Sequence, residues 1–183
     1  GLFTQLALIY PDSFEKRIEL LKNKSVKAGL WGLTDEHTVP IFNIETNKLV
    51  KRQVIESDVF SLFEWADHMM SVSNNGAASI VWREVLLMAA FGKAYPTLTQ
   101  DMADAYFKNT PKKELTDLGN DVVNLPLRKL GITFEEWRLG TFFTRGANNF
   151  IGSKDGSIGT PVGLMKFLVQ LEQGKVVDEK SSL

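Results

Sequence analysis

Met69-Met70-Ser71-Val72-Ser73-Asn74-Asn75-Gly76-Ala77-Ala78-Ser79 decides the fold. It joins two helical patterns. Asp58 to Met70 carries apolar residues at Val59, Phe60, Leu62, Phe63, Ala66, Met69 and Met70. Ala77 to Phe91 is apolar on nearly every face, the signature of a buried helix. A polar Ser-Asn-Asn-Gly turn is therefore pinned between two core helices. Locally it has the composition of a helix cap, because Ser and Asn are preferred N-cap residues and Gly tolerates the turn. A Ser and an Asn two residues apart in such a turn can also point into one cavity, where buried polar groups must find partners.

Outward from this turn the pattern stays mostly helical. Leu2 to Tyr10 predicts an apolar helix, broken at Pro11-Asp12-Ser13, and Asp12 or Ser13 caps a second helix through about Asn23. Lys24 to Asn47 is irregular, with strand-like pieces at Leu30 to Leu33 and Val39 to Ile44. Lys48 to Glu56 predicts another short strand, and Ser57 a cap for the helix entering the turn. Beyond Phe91, Thr97 with Gln100 forms a capping-box pattern for a helix through Phe107. Thr110-Pro111 opens a helix to about Val123, Leu127 to Gly131 links, and Thr133 with Glu136 is a second capping box for a short helix ending near Gly140. Phe142 to Gly159 is a long loop without periodicity, of a length that is often functional. Thr160-Pro161 starts a helix through Glu172, with Leu164, Phe167, Leu168 and Leu171 on one face and Gly174 at C′. The expected class is mainly α with minor β, one domain over residues 1–183. The sequence starts in mid-pattern before Leu2 and stops after Ser181-Ser182-Leu183, so the domain is expected to be incomplete at both ends.

Composition narrows the function. The 183 residues are 44% apolar and 23% charged, with a net charge of −1, which gives no basic footprint for nucleic acid or an anionic membrane. There is no Cys, hence no thiol nucleophile and no Cys-based metal site, and His37 and His68 lie far apart in sequence. Neither a metal nor another cofactor is expected. No stretch has the apolar length of a membrane span, and Gly1 to Tyr10 lacks the basic start and cleavage site of a signal peptide.

The order of parts resembles the helical lobe of the class A β-lactamase-like serine hydrolases, a group that includes penicillin-binding D,D-peptidases. The matching segments are Met70 to Ala78, with Ser73-Asn74-Asn75 as a Ser-X-Asn motif, and Gly159-Thr160-Pro161-Val162-Gly163-Leu164-Met165 running on to Asp178. His37-Thr38-Val39-Pro40 and Phe142-Phe143-Thr144-Arg145-Gly146 are similar to a less studied bacterial branch of the group. The resemblance implies the helical lobe of a β-lactamase/transpeptidase-like α/β fold. It implies acyl-enzyme chemistry on β-lactam, peptide or ester substrates, a small-molecule or peptidoglycan-like partner, and a periplasmic or other extracytoplasmic location. In that chemistry a Ser-X-X-Lys supplies the nucleophile and its base. Ser73 relays a proton to the leaving nitrogen and Asn75 holds a substrate amide.

Ser13-Phe14-Glu15-Lys16 satisfies Ser-X-X-Lys literally. Its helix, however, is a solvated amphipathic one, and Pro11-Asp12-Ser13 has the form of an ordinary cap. The apolar Gly1 to Tyr10 better matches the helix that follows a family nucleophile, which places the true motif before Gly1. The family's Lys-Thr/Ser-Gly strand is not met by Gly152-Ser153-Lys154 or Ser153-Lys154-Asp155-Gly156, and the resemblance places it after Leu183. The Glu that activates deacylating water in true β-lactamases falls near Thr144 when counted back from Pro161. The loop holds no Glu, and Asp155 is its only carboxylate. The resemblance thus implies slow or absent β-lactam deacylation, as in a D,D-peptidase or esterase. The alternative is an inactive relative that serves as a binding or scaffold module.

Other residues carry two readings each. Asn148 could line a substrate site. Arg145 could meet a substrate carboxylate or make a structural pair. Arg83 and Glu84 form a solvated or paired face, and His37 lies in a surface loop. Trp31, Trp65, Trp82 and Trp137 are expected as core or half-buried aromatics.

Overall fold

The computed structural model describes residues 1–33, 36–140, 144–152 and 156–182. Phe142, Phe143, Ser153, Lys154, Asp155 and Leu183, singled out above, lie outside the described residues. The chain is mainly helical, with three small two-stranded antiparallel sheets among the described residues.

The centre is α4 (Asn75–Phe91). Gly76 to Met88 are buried without interruption, as the all-round apolar pattern requires. Packed on it are α1 (Leu2–Ile9), α3 (Leu62–Ser71), α6 (Lys112–Lys129) and two 3-10 turns, Gly29–Gly32 and Gly92–Thr97. Polar edges of core aromatics are satisfied by carbonyls. Trp65 Nε1 donates to Val26 O at 2.9 Å and Trp82 Nε1 to Gly119 O at 2.8 Å. Trp31 stacks flat on Phe150, with centroids 4.9 Å apart.

α2 (Phe14–Asn23) follows α1. Its buried Arg17 donates to Tyr10 O and Pro11 O, and reaches Asp178 and Ser181 Oγ across the molecule. Two strands, β1 (Ser25–Lys27) and β4 (Val59–Ser61), pair with Val26 opposite Phe60. β2 (Val39–Asn43) and β3 (Lys48–Arg52), expected only as separate short strands, pair as an antiparallel hairpin, with Phe42, Leu49 and Val50 exposed. Arg52 grips the buried Asp58 with both nitrogens, at 2.6 and 2.8 Å.

Several expected boundaries move. Leu30 to Leu33 is a 3-10 turn rather than a strand, closed by Leu33 N donating to Leu30 O. Ser57 does not cap α3. Pairing with β1 keeps Val59–Ser61 extended, and Ser61 with Glu64 makes the capping box. Thr97 sits in the Gly92–Thr97 turn and donates to Ala94 O, so Thr99 caps α5 (Gln100–Asn109) instead. Pro111 takes the cap position before α6, one residue later than expected, because Thr110 still ends α5. α6 continues through Pro126 to Lys129 and absorbs the expected linker. Burial of Val122 and Leu127 overrides the one helical hydrogen bond that proline removes. Thr133 and Glu136 bond reciprocally but close only a turn, because Trp137–Arg138 is drawn out as β5 against β6 (Ile158–Gly159). The long loop also contains α7 (Arg145–Asn148).

α8 (Pro161–Glu172) has Thr160 at its cap and Gly174 at C′, as expected. Its apolar side is not covered by the described residues: Val162, Leu164, Met165, Leu168 and Val169 are all exposed. A short α9 (Glu179–Ser182) follows. Among the described residues no helix is long and apolar enough to cross a membrane.

Candidate functional site

The Ser-Asn-Asn turn divides its work residue by residue. Asn74 is the cap. It is 1% exposed, its Oδ1 accepts from Ala77 N at 2.7 Å and its Nδ2 donates to His37 O at 3.1 Å. Its own N–H donates to His68 O, closing the turn onto the end of α3. The flanking residues are left outside the cap. Ser73 is exposed and sits at φ 54°, in the left-handed region that disfavours any side chain with a Cβ. Asn75 is half-buried in the first turn of α4, with Nδ2 3.3 Å from His37 Nδ1. His37, expected as an isolated surface residue, is exposed but is tied to this turn through both main chain and ring.

Close backbone contact fixes the turn in place. A Cβ at Gly76 would stand 2.5 Å from Gly32 O, and one at Gly146 would overlap Leu30 O. The Gly29–Gly32 turn is thus wedged between α4 and α7. Thr144, at the place counted for a deacylating Glu, is 2% exposed and wholly structural. Its Oγ1 donates to Trp31 O at 2.8 Å and accepts from Ala147 N at 3.1 Å, capping α7 onto the same turn. A buried hydroxyl engaged in this way presents nothing to a water in a site.

The remaining candidates separate. Arg145 and Asn148 are exposed on α7, and Asn148 O accepts from Lys112 Nζ at 2.6 Å, which faces this end of α7 toward the start of α6. Ser13 caps α2: its Oγ accepts from Lys16 N at 3.2 Å and donates to Glu15 Oε2 at 3.3 Å. Lys16 is exposed. Arg83 and Glu84 are paired, as one expectation held, but buried rather than solvated. Among the described residues no group of three or more His, Cys, Asp or Glu side chains is placed to hold a metal.

One titratable group lies directly under the turn. His68 is buried in the last turn of α3, edge-on to Phe60 and Trp65, and its Nδ1 has no hydrogen-bond partner. Burial lowers its pKa, and the nearby Asp67 and Glu64 offset this only in part.

Sequence reasoning singled out Ser73 and Asn75 but missed Asn74, Thr144 and His37. For Asn74 the signal was shared: Ser and Asn are both preferred N-cap types, and only the register of α4 brings Ala77 N to Asn74 Oδ1. For His37 there was none, because its contact spans a loop and a hairpin. Comparison with known proteins finds no family model, no curated protein and no solved structure that matches this chain.

Proposed function

We propose that the chain is the helical lobe of a β-lactamase/transpeptidase-like serine hydrolase, with Ser73 as proton relay and Asn75 as substrate clamp. The observation that carries the reading is the division of labour in the turn. Asn74 alone satisfies the cap, so Ser73 and Asn75 are not needed for it. One keeps a left-handed backbone that costs about 1–2 kcal/mol, and strain of this kind is retained at functional turns. The uncovered apolar side of α8 also supports it, because a helical lobe of this family packs on a sheet. Acylation would join a serine oxygen to the substrate carbonyl and break its C–N bond, or the C–O bond of an ester. The Ser73 hydroxyl would pass its proton to the departing nitrogen or oxygen and recover one from the nucleophile's base. Buried Thr144 in place of a glutamate supports slow release of the acyl group. The substrate class is then a β-lactam, peptide or ester met outside the cytoplasm.

The second reading is a non-catalytic relative that binds ligand or scaffold. It is favoured by Ser13, whose hydroxyl is engaged as a helix cap rather than with a lysine amine. A fluorescent penicillin incubated with the full-length protein separates the two. A stable serine adduct, formed more slowly in Ser73→Ala and Asn75→Ala proteins of unchanged melting temperature, is expected. A folded protein that takes no label supports the non-catalytic relative.

A further inference from the structure

Asn75 ends in an amide on a rotatable bond. The last torsion of an Asn side chain is broad and roughly two-fold, so nothing intrinsic decides whether its nitrogen or its oxygen faces outward. Here a neighbour decides. Asn75 Nδ2 stands 3.3 Å from His37 Nδ1. An amide nitrogen only donates, so the ring nitrogen that it meets has to be the acceptor. The contact therefore requires a neutral His37 ring with its proton on Nε2. Both partners are mounted on fixed backbone. The His37 carbonyl accepts from Nδ2 of the buried Asn74 at 3.1 Å, and Val39, two residues further on, is fully buried. Asn75 lies in the first turn of α4, and the next residue, Gly76, packs directly on Gly32 O. His37 is exposed and Asn75 half-buried, so a ligand reaches both from solvent.

We propose, building on the clamp role given to Asn75 above, that His37 is a positioning residue: it turns the Asn75 amide with its oxygen outward and so selects substrates that bring an N–H to this turn. With Nδ2 turned to the ring, Oδ1 is the branch of the amide directed away from it. A carbonyl oxygen accepts and never donates. It matches the N–H of an acylamino group beside the reacting carbonyl and opposes an ester oxygen in the same place, because two acceptors repel. Among β-lactams, peptides and esters, the preferred substrates are those with an acylamino group next to the bond that is cut. A supporting side chain that locks a binding group in one orientation spares the ligand the cost of ordering it. His37 touches no reacting atom in this arrangement and acts only through Asn75.

The test uses the full-length protein and reads orientation and preference separately. Long-range ¹H–¹⁵N spectra should show His37 as the Nε2–H tautomer, with one Asn75 side-chain proton shifted by the ring and returned to an ordinary position in His37→Leu. Acylation by a penam with a 6-acylamino chain is then compared with that by its 6-acyloxy analogue, in which oxygen replaces the N–H. Wild type should reach half-maximal rate at about tenfold less of the acylamino compound, with the same rate at saturation. His37→Leu should erase that preference, and His37→Gln, which keeps an acceptor, should restore it. The Asn74 bond to the residue 37 carbonyl survives both changes, so neither should move the melting temperature. An Nδ1–H tautomer, equal use of the two penams by wild type, or a preference that survives in His37→Leu would overturn the proposal. Labelling by neither penam would sink the hydrolase reading and the substrate preference together, with the spectra still deciding whether His37 orients Asn75.

Discussion

Ser73, Asn74 and Asn75 are adjacent yet answer to different physics. Asn74 satisfies the first turn of α4 and anchors the His37 main chain, so Asn74→Ala should destabilise the protein by about 1–2 kcal/mol. Ser73 stands at φ 54° with its side chain outside the cap. Ser73→Gly should therefore leave stability unchanged or raise it by up to about 1 kcal/mol, and lower the acylation rate if Ser73 is the relay. Chemical denaturation of both variants, with penicillin labelling of the second, checks the pair of expectations. A Ser73→Gly protein that melts much lower would show that the Ser73 side chain holds the turn. The tripeptide was visible in the sequence as a candidate. Which of its residues is the cap was decided by the register of α4, fixed only when Gly76 meets Gly32 O.

At the scale of elements, the Gly29–Gly32 turn is held by two helices through glycine. Gly76→Ala pushes a methyl onto Gly32 O and Gly146→Ala onto Leu30 O, both rigid backbone atoms. Each should cost at least about 1–3 kcal/mol, read as a lower melting temperature. The Gly76 change should also disturb Asn75, since its contact seats the start of α4, whereas Gly146 seats α7. Thr144→Val keeps the shape and loses the bonds to Trp31 O and Ala147 N. A loss of about 1–3 kcal/mol is expected there. Elements whose signals are local were legible: α4 by its all-round apolar pattern, α8 by Thr160-Pro161, and β2 and β3 as short strand pieces, though not their pairing. Elements set by a distant partner were not. β4 exists because β1 pairs with it, β5 because β6 does, and α6 passes Pro126 because its flanks are buried. Of the candidate site, Ser73 and Asn75 were legible as a three-letter pattern, whereas His37 was joined to them only by the folded path of the chain.

For the whole molecule, acid is the natural stress. His68 titrates below its ordinary 6.5 when folded, so the unfolded chain takes the proton first. Stability should fall as pH drops below about 6.5 and continue falling to the folded pKa. Asp58 adds a second, lower step. Burial raises its pKa, but Arg52 and the Ile55 N–H outweigh that and hold it below the usual carboxylate value of 3.8. Its contribution is present above that value and is lost as pH falls through it. A urea series between pH 7 and 3 should show both steps, and His68→Phe should flatten only the upper one. The uncovered side of α8 borders an open groove of about 600 Å³ lined by Leu130, Pro161, Val162, Met165 and Val169. Under the proposed function this side packs on a sheet, so paired Met165→Glu and Val169→Glu changes should lower the melting temperature of the full-length protein, because each buries an unpaired charge. The clamp at Arg17 adds a matter of timing. Its guanidinium is buried against Tyr10 and Pro11, but its carboxylate, Asp178, lies 161 residues later. On a ribosome adding about 5–20 residues per second, roughly 10–30 s separate the two. Until Asp178 emerges, the corner between α1 and α2 holds a cation without its anion, and a chaperone or protease has that interval in which to act.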